Sequence, residues 1–143
     1  METVTVSRTI EAPEPTVQEW ITDTKPFIEA AGFDEVAVKG DVIEITNNVG
    51  LLTIELILRV LEIDDALAYE QVDGIFDEME TRYTLEERSE GIEITAVTEY
   101  ALDVALVGSI LDSTIIARQR RKELSAQFDY LERRAEKYEP SAK

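Results

Sequence analysis

Residues 75–102 read IFDEMETRYTLEERSEGIEITAVTEYAL, and their spacing decides the architecture. Met79, Thr81, Tyr83 and Leu85 alternate with Glu78, Glu80, Arg82, Thr84 and Glu86. After Ser89-Glu90-Gly91, the run Ile92, Ile94, Ala96, Thr98, Tyr100, Leu102 alternates in the same way. A period of two marks a strand with one buried face. Two such runs joined by a tight Gly-containing turn make an antiparallel hairpin. At Asp103 the period changes. Asp103 is a suitable helix N-cap, because its side chain can accept the first free backbone N–H groups. Beyond it, Ile110, Thr114, Ala117, Arg121, Leu124, Phe128, Leu131, Ala135 and Tyr138 recur every three or four residues. That stripe predicts a helix of about 45–50 Å at 1.5 Å per residue. A 12-residue strand spans about 40 Å, so the helix can lie along the whole sheet.

The same period of two extends upstream to Asp34. Runs at 35–39, 42–46, 51–63 and 66–72 are separated by Gly40-Asp41, Asn47-Asn48-Val49-Gly50, Asp64-Asp65 and Asp73-Gly74. Gly, Asn and Asp tolerate tight hairpin geometry, so the six runs from 35 to 102 predict an antiparallel meander. Ahead of it, Val4, Val6 and Ile10 alternate with Thr5, Ser7 and Thr9 as a seventh strand. Ala12-Pro13-Glu14-Pro15 stops that strand. Two short helices are predicted at 16–24 and 27–31, the second ended by Gly32. One pattern stays open. Ile57, Leu61 and Ile63 share a parity with Glu55 and Arg59. Either a bulge swaps faces there or the sheet carries an exposed apolar strip suited to a dimer contact.

The chain of 143 residues has 31 acidic and 14 basic side chains, a net charge of −17, and neither Cys nor His. Disulfides, thiolate or imidazole metal sites and His-based triads are therefore excluded. The charge argues against nucleic acid and anionic membranes as partners. No apolar segment is free enough of charge for a membrane span, and residues 1–12 lack a signal-peptide pattern, so a cytoplasmic location is expected. The acids run from Glu2 to Glu139 without a dominant block, and Lys is scarcer than Arg, five against nine. A dispersed carboxylate excess of this kind resembles proteins of halophiles. At molar salt the Debye length falls to about 3 Å and self-repulsion is screened. No linker or repeat divides the chain, so one domain over 1–143 is expected, with an ordered core over about 3–138.

Strand, two short helices, six strands and a long helix, together with several local markers, resemble the START/SRPBCC superfamily. Ile10-Glu11-Ala12-Pro13 is similar to that family's I-x-A-P strand end, followed by a helix with an aromatic, here Trp20. Asp73-Gly74, the strand from Glu78, Gly91 and Val107-Gly108 match its later turns and final helix. The resemblance covers nearly the whole chain. It implies an α+β helix-grip fold: a curved antiparallel sheet of about seven strands wrapped around the C-terminal helix. It also implies a pocket between sheet and helix for a hydrophobic small molecule or lipid. Members range from lipid carriers to polyketide cyclases, so the fold does not name a reaction.

The inward parity of the strands then supplies the candidates. Ile54, Leu56 and Leu58 on one strand, Tyr83 on the next-to-last, and Ala96, Thr98 and Tyr100 on the last are expected to line the pocket, with Thr114 from the helix. The inward strand sets contain no carboxylate, so a paired-carboxylate hydrolase is not expected. Arg8 shares parity with Val6 and Ile10, and Arg121 lies in the helix stripe. Each either pairs with an anionic head group or snorkels to the rim. Trp20 is read as packing, with an entrance gate as the alternative. Arg118, Arg120, Arg121 and Lys122 form a basic cluster, read as pairing with local acids. No catalytic residue, metal or cofactor is assigned. The reading is binding or transport of a hydrophobic ligand by a monomer or weak homodimer. The alternatives are a cyclase/dehydratase-like enzyme and an interaction module using the outer sheet.

Overall fold

A computed structural model describes residues 1–102 and 113–138. Seven strands form one antiparallel sheet: β1 Glu2–Ile10, β2 Glu35–Lys39, β3 Val42–Val49, β4 Leu52–Val60, β5 Leu67–Asp73, β6 Phe76–Arg88 and β7 Gly91–Leu102. Their order is β1-β7-β6-β5-β4-β3-β2, a meander from β2 to β7 with the first strand added beside the last. Helices α1 (Glu14–Thr22) and α2 (Thr24–Glu29) follow β1, and α3 (Ser113–Lys137) closes the chain. This is the α+β helix-grip architecture expected from the order of elements. Asp103, Val107-Gly108 and Ile110 lie outside the described residues.

The sheet must curve around α3. Flat, β1 and β3 would stand five strand spacings apart, about 24 Å. Yet α3 bonds to both, through Arg8 to Asp129 and Glu132 on one side and through Asn47 to Glu123 on the other. A helix only about 10–12 Å across reaches both because the inner face is concave. Inward residues of the long hairpin, Met79, Thr81 and Tyr83, stand opposite Tyr100, Thr98 and Ala96. They pack toward Leu124, Phe128 and Leu131 of α3, all fully buried. Of the acids on the outward parity, Glu55, Glu78, Glu86 and Glu99 are exposed, while Glu80 and Glu93 are half-buried and paired with Arg82 and Arg88.

Element ends differ where side chains compensate local breakers. β3 runs on through Asn47-Asn48-Val49, which read as a turn, and the turn falls at Gly50-Leu51. Asn47 lies in the strand opposite Ile54, and one N–H of its amide donates to Glu123 of α3. Pro26 sits in the first turn of α2, where its missing N–H is unpaired in any case. The strip of Ile57, Leu61 and Ile63 is explained without a face swap. Ile54 and Leu58 stay buried on one parity, and β4 ends at Val60, before Ile63. The bulge lies on the neighbouring strand: Ile57 faces Asp73 and Leu58 faces Gln71, which leaves Val72 as the extra residue. Gly91 is required at its turn, because a Cβ there would stand 2.4 Å from the Ile10 carbonyl oxygen.

Candidate functional site

Between the concave sheet face and α3 lies a cavity of about 50 Å³, measured as the space open to the centre of a water molecule. The space such waters fill is larger than the volume their centres reach, so the cavity suits several waters or one compact apolar molecule. Ile54, Leu56, Leu58, Thr98 and Tyr100 line it, as their parity predicts. Phe33, Ile45, Val49, Phe76, Met79 and Ile116 complete the apolar wall. Its polar wall consists of Asn47, Tyr69, Gln119, Arg120 and Glu123, none of them among the predicted site residues.

The helix brings different residues inward from those expected. Leu124, Phe128 and Leu131 are buried as predicted. Toward the N-terminus of α3 the buried row continues to Arg120 and Ile116, four and eight residues before Leu124. The expected row stepped by three, to Arg121 and Ala117. Both steps stay near one helix face, and only packing chooses between them. Arg121 is consequently exposed, donating to the Thr5 carbonyl at 3.3 Å, and Thr114 is exposed as well. Arg8 does point inward, but Asp129 and Glu132 take its guanidinium at the rim. Neither arginine lines the cavity. Ala96 and Tyr83 are fully buried in the packed core behind it. Trp20 packs edge-on against Tyr138, with ring centroids 6.0 Å apart, away from the cavity.

Arg120 is the centre of a buried hydrogen-bond network. Nε donates to Thr98 Oγ1 at 2.9 Å, Nη1 to Glu123 Oε1 at 3.0 Å, and Nη2 to Tyr69 OH at 2.5 Å and Thr81 Oγ1 at 3.1 Å. From Tyr69 the donors run one way. Tyr83 commits its one O–H to Gln127, so between the two phenols Tyr69 donates to Tyr83 OH, 3.1 Å away. Tyr83 donates to Gln127 Oε1 at 2.6 Å, and Gln127 Nε2 to the Phe27 carbonyl at 3.2 Å. Among the described residues, every side-chain N or O that is itself sealed from both solvent and cavity has a partner.

The electrostatics follow from this burial. Burial pushes the Arg120 guanidinium down, while Tyr69, Tyr83 and Glu123 together push it further up, so it stays charged. Burial holds the Tyr83 phenol well above its usual value, Tyr69 adds to this, and Arg120 opposes it. Tyr83 is thus a neutral phenol whose proton is already engaged. One carboxylate, Glu123, enters the interior from α3, which corrects the expectation of an interior whose charges are arginines alone. Among the described residues no group of three or more acids gathers as a metal site.

Five of the strand candidates, Ile54, Leu56, Leu58, Thr98 and Tyr100, were legible because period two fixes their face. The helix contribution was missed because Arg120, Glu123 and Gln127 are polar and fall outside the apolar stripe used to choose the buried face. The available signal was their spacing from Leu124 and Phe128, combined with the inward hydroxyls of Thr81, Tyr83 and Thr98 that need partners.

No family model matches the sequence, and no curated protein matches it. Solved structures do. A protein of Thermus thermophilus superposes with a TM-score of 0.74 at 17% identity, over 94% of this chain and 97% of that one. A START superfamily protein from Mycobacterium smegmatis gives 0.70 at 12% identity, over 94% and 97%. The Zhui aromatase/cyclase from a Streptomyces species gives 0.66 at 17%, over 93% and 94%. These likenesses span nearly full chains at low identity. They establish the fold alone: the helix-grip fold of START superfamily and aromatase/cyclase structures.

Proposed function

We propose that the protein binds a small hydrophobic molecule in the cavity between the sheet and α3, as a carrier or binding module. The observation that carries this reading is the cavity itself, an apolar wall of Ile, Leu, Phe and Met residues closed at one side by buried polar groups. That composition is the usual recipe for a ligand site, with apolar surface for affinity and a few polar groups for orientation. Its size favours a compact ligand over a long lipid. Burial of apolar ligand area supplies about 25 cal/mol per Å², before the costs of association.

A cyclase-like reaction is the second reading, favoured by the cyclase among the structural neighbours. Against it, Tyr83 has its proton committed to Gln127, and Arg120 and Glu123 neutralise each other. The same proposal places the protein in the cytoplasm of an organism with a salty interior, as a monomer or weak homodimer. The dispersed acid excess supports the high-salt setting.

Native mass spectrometry on protein purified from its own host, with extraction of small molecules, tests the reading. A stoichiometric apolar molecule is expected. Protein that is uniformly ligand-free, and that takes up no small apolar compound afterwards, contradicts it.

A further inference from the structure

The polar side of the cavity is electrically balanced before any ligand arrives. Arg120 and Glu123 are only 8% and 7% exposed and pair at 3.0 Å. They are the one cation and one anion among the described lining residues. Four of the five guanidinium N–H groups are engaged with Thr98, Glu123, Tyr69 and Thr81. An anionic head group would find no unneutralised cation here. It would instead place a second negative charge beside Glu123, after losing its own hydration.

Neutral polar capacity does remain. Glu123 accepts from Asn47 Nδ2 at 3.4 Å and from Gln119 Nε2 at 3.1 Å. A carboxylate only accepts, so both amides must turn nitrogen toward it. Each amide then retains its carbonyl oxygen and one N–H, with no other partner among the described residues. Asn47 is 7% exposed and lines the cavity, as does Gln119. A ligand group that both donates and accepts fits these two amides, and a hydroxyl does so with one atom.

The geometry points to a neutral, hydroxyl-bearing apolar molecule as the ligand class, its polar end read by Asn47 and Gln119. This rests on the binding reading above and narrows it. It replaces the expectation of an acid head group on Arg8 or Arg121.

Three probes of similar size separate the possibilities: toluene, benzyl alcohol and benzoate. They are titrated into the full chain in buffered KCl at pH 7 and followed by protein NMR shifts. Benzyl alcohol is expected to bind about tenfold or more tighter than benzoate, and several-fold tighter than toluene. Benzoate affinity is expected to rise as the pH falls from 7 to 5.5, because its neutral form is the one admitted. Asn47→Leu and Gln119→Leu are expected to reduce the preference for the alcohol over toluene while toluene still binds. The wild-type comparison stands by itself should either variant fail to fold. Benzoate binding as tightly as the alcohol at pH 7, or toluene equalling the alcohol, overturns this inference and leaves the binding reading intact. Folded variants with unchanged preference overturn the role of the two amides. Failure of all three probes to bind overturns both readings.

Discussion

Arg120 organises the interior at the scale of single residues. Its side chain reaches β5, β6 and β7 at once, through Tyr69, Thr81 and Thr98, and returns to its own helix through Glu123. Burying such a pair costs several kcal/mol per ion, which the network offsets only while both partners are present. Glu123→Met or Arg120→Met alone is therefore expected to cost about 3–5 kcal/mol. The double variant Arg120→Met/Glu123→Met is expected to recover most of that loss, because no unpaired charge is left. Urea unfolding of the four proteins in KCl measures this as a double-mutant cycle. Strictly additive losses would show that the two side chains are not coupled.

At the scale of elements, the phase of α3 decides what the protein presents to its cavity. Arg121→Ala is expected to change stability by less than about 0.5 kcal/mol, as an exposed side chain should. Leu124→Ala is expected to cost about 2–5 kcal/mol. Thermal or urea melts of both variants check the phase, and a large loss at Arg121 would contradict it. The strands were readable from sequence because a strand has two faces and an error of one residue exposes a whole apolar set. Ile54, Leu58, Thr98 and Tyr100 followed from that rule. A helix allows steps of three or four, so the row through Phe128 and Leu124 extended equally well to Arg121 or Arg120. Apolar residues alone did not settle it, since Arg120, Glu123 and Gln127 share the buried face with Ile116, Leu124, Phe128 and Leu131. Asn47 was hidden for a related reason: taken alone it is a turn residue, and its partner Glu123 comes from a distant element.

At the scale of the whole molecule, the charge of −17 and the neutral interior have separate causes. Exposed acids lie on the outer sheet face and helix surface, while the one buried carboxylate among the described residues is matched by its guanidinium. Self-repulsion of the outer charges weakens the compact state at low ionic strength, where the Debye length exceeds about 10 Å. The melting temperature is expected to rise steadily from about 0.1 M to about 2 M KCl, read by circular dichroism. A melt independent of salt would contradict the high-salt reading without touching the fold. The central claim is that the space between sheet and helix is a ligand site. A methyl-resolved NMR titration with toluene tests it most directly. Saturable shifts are expected at Ile54, Leu58, Met79 and Ile116, whose methyls line the cavity. Shifts that never saturate, or that fall on exposed Leu51, Ile63 and Val72 instead, would contradict it.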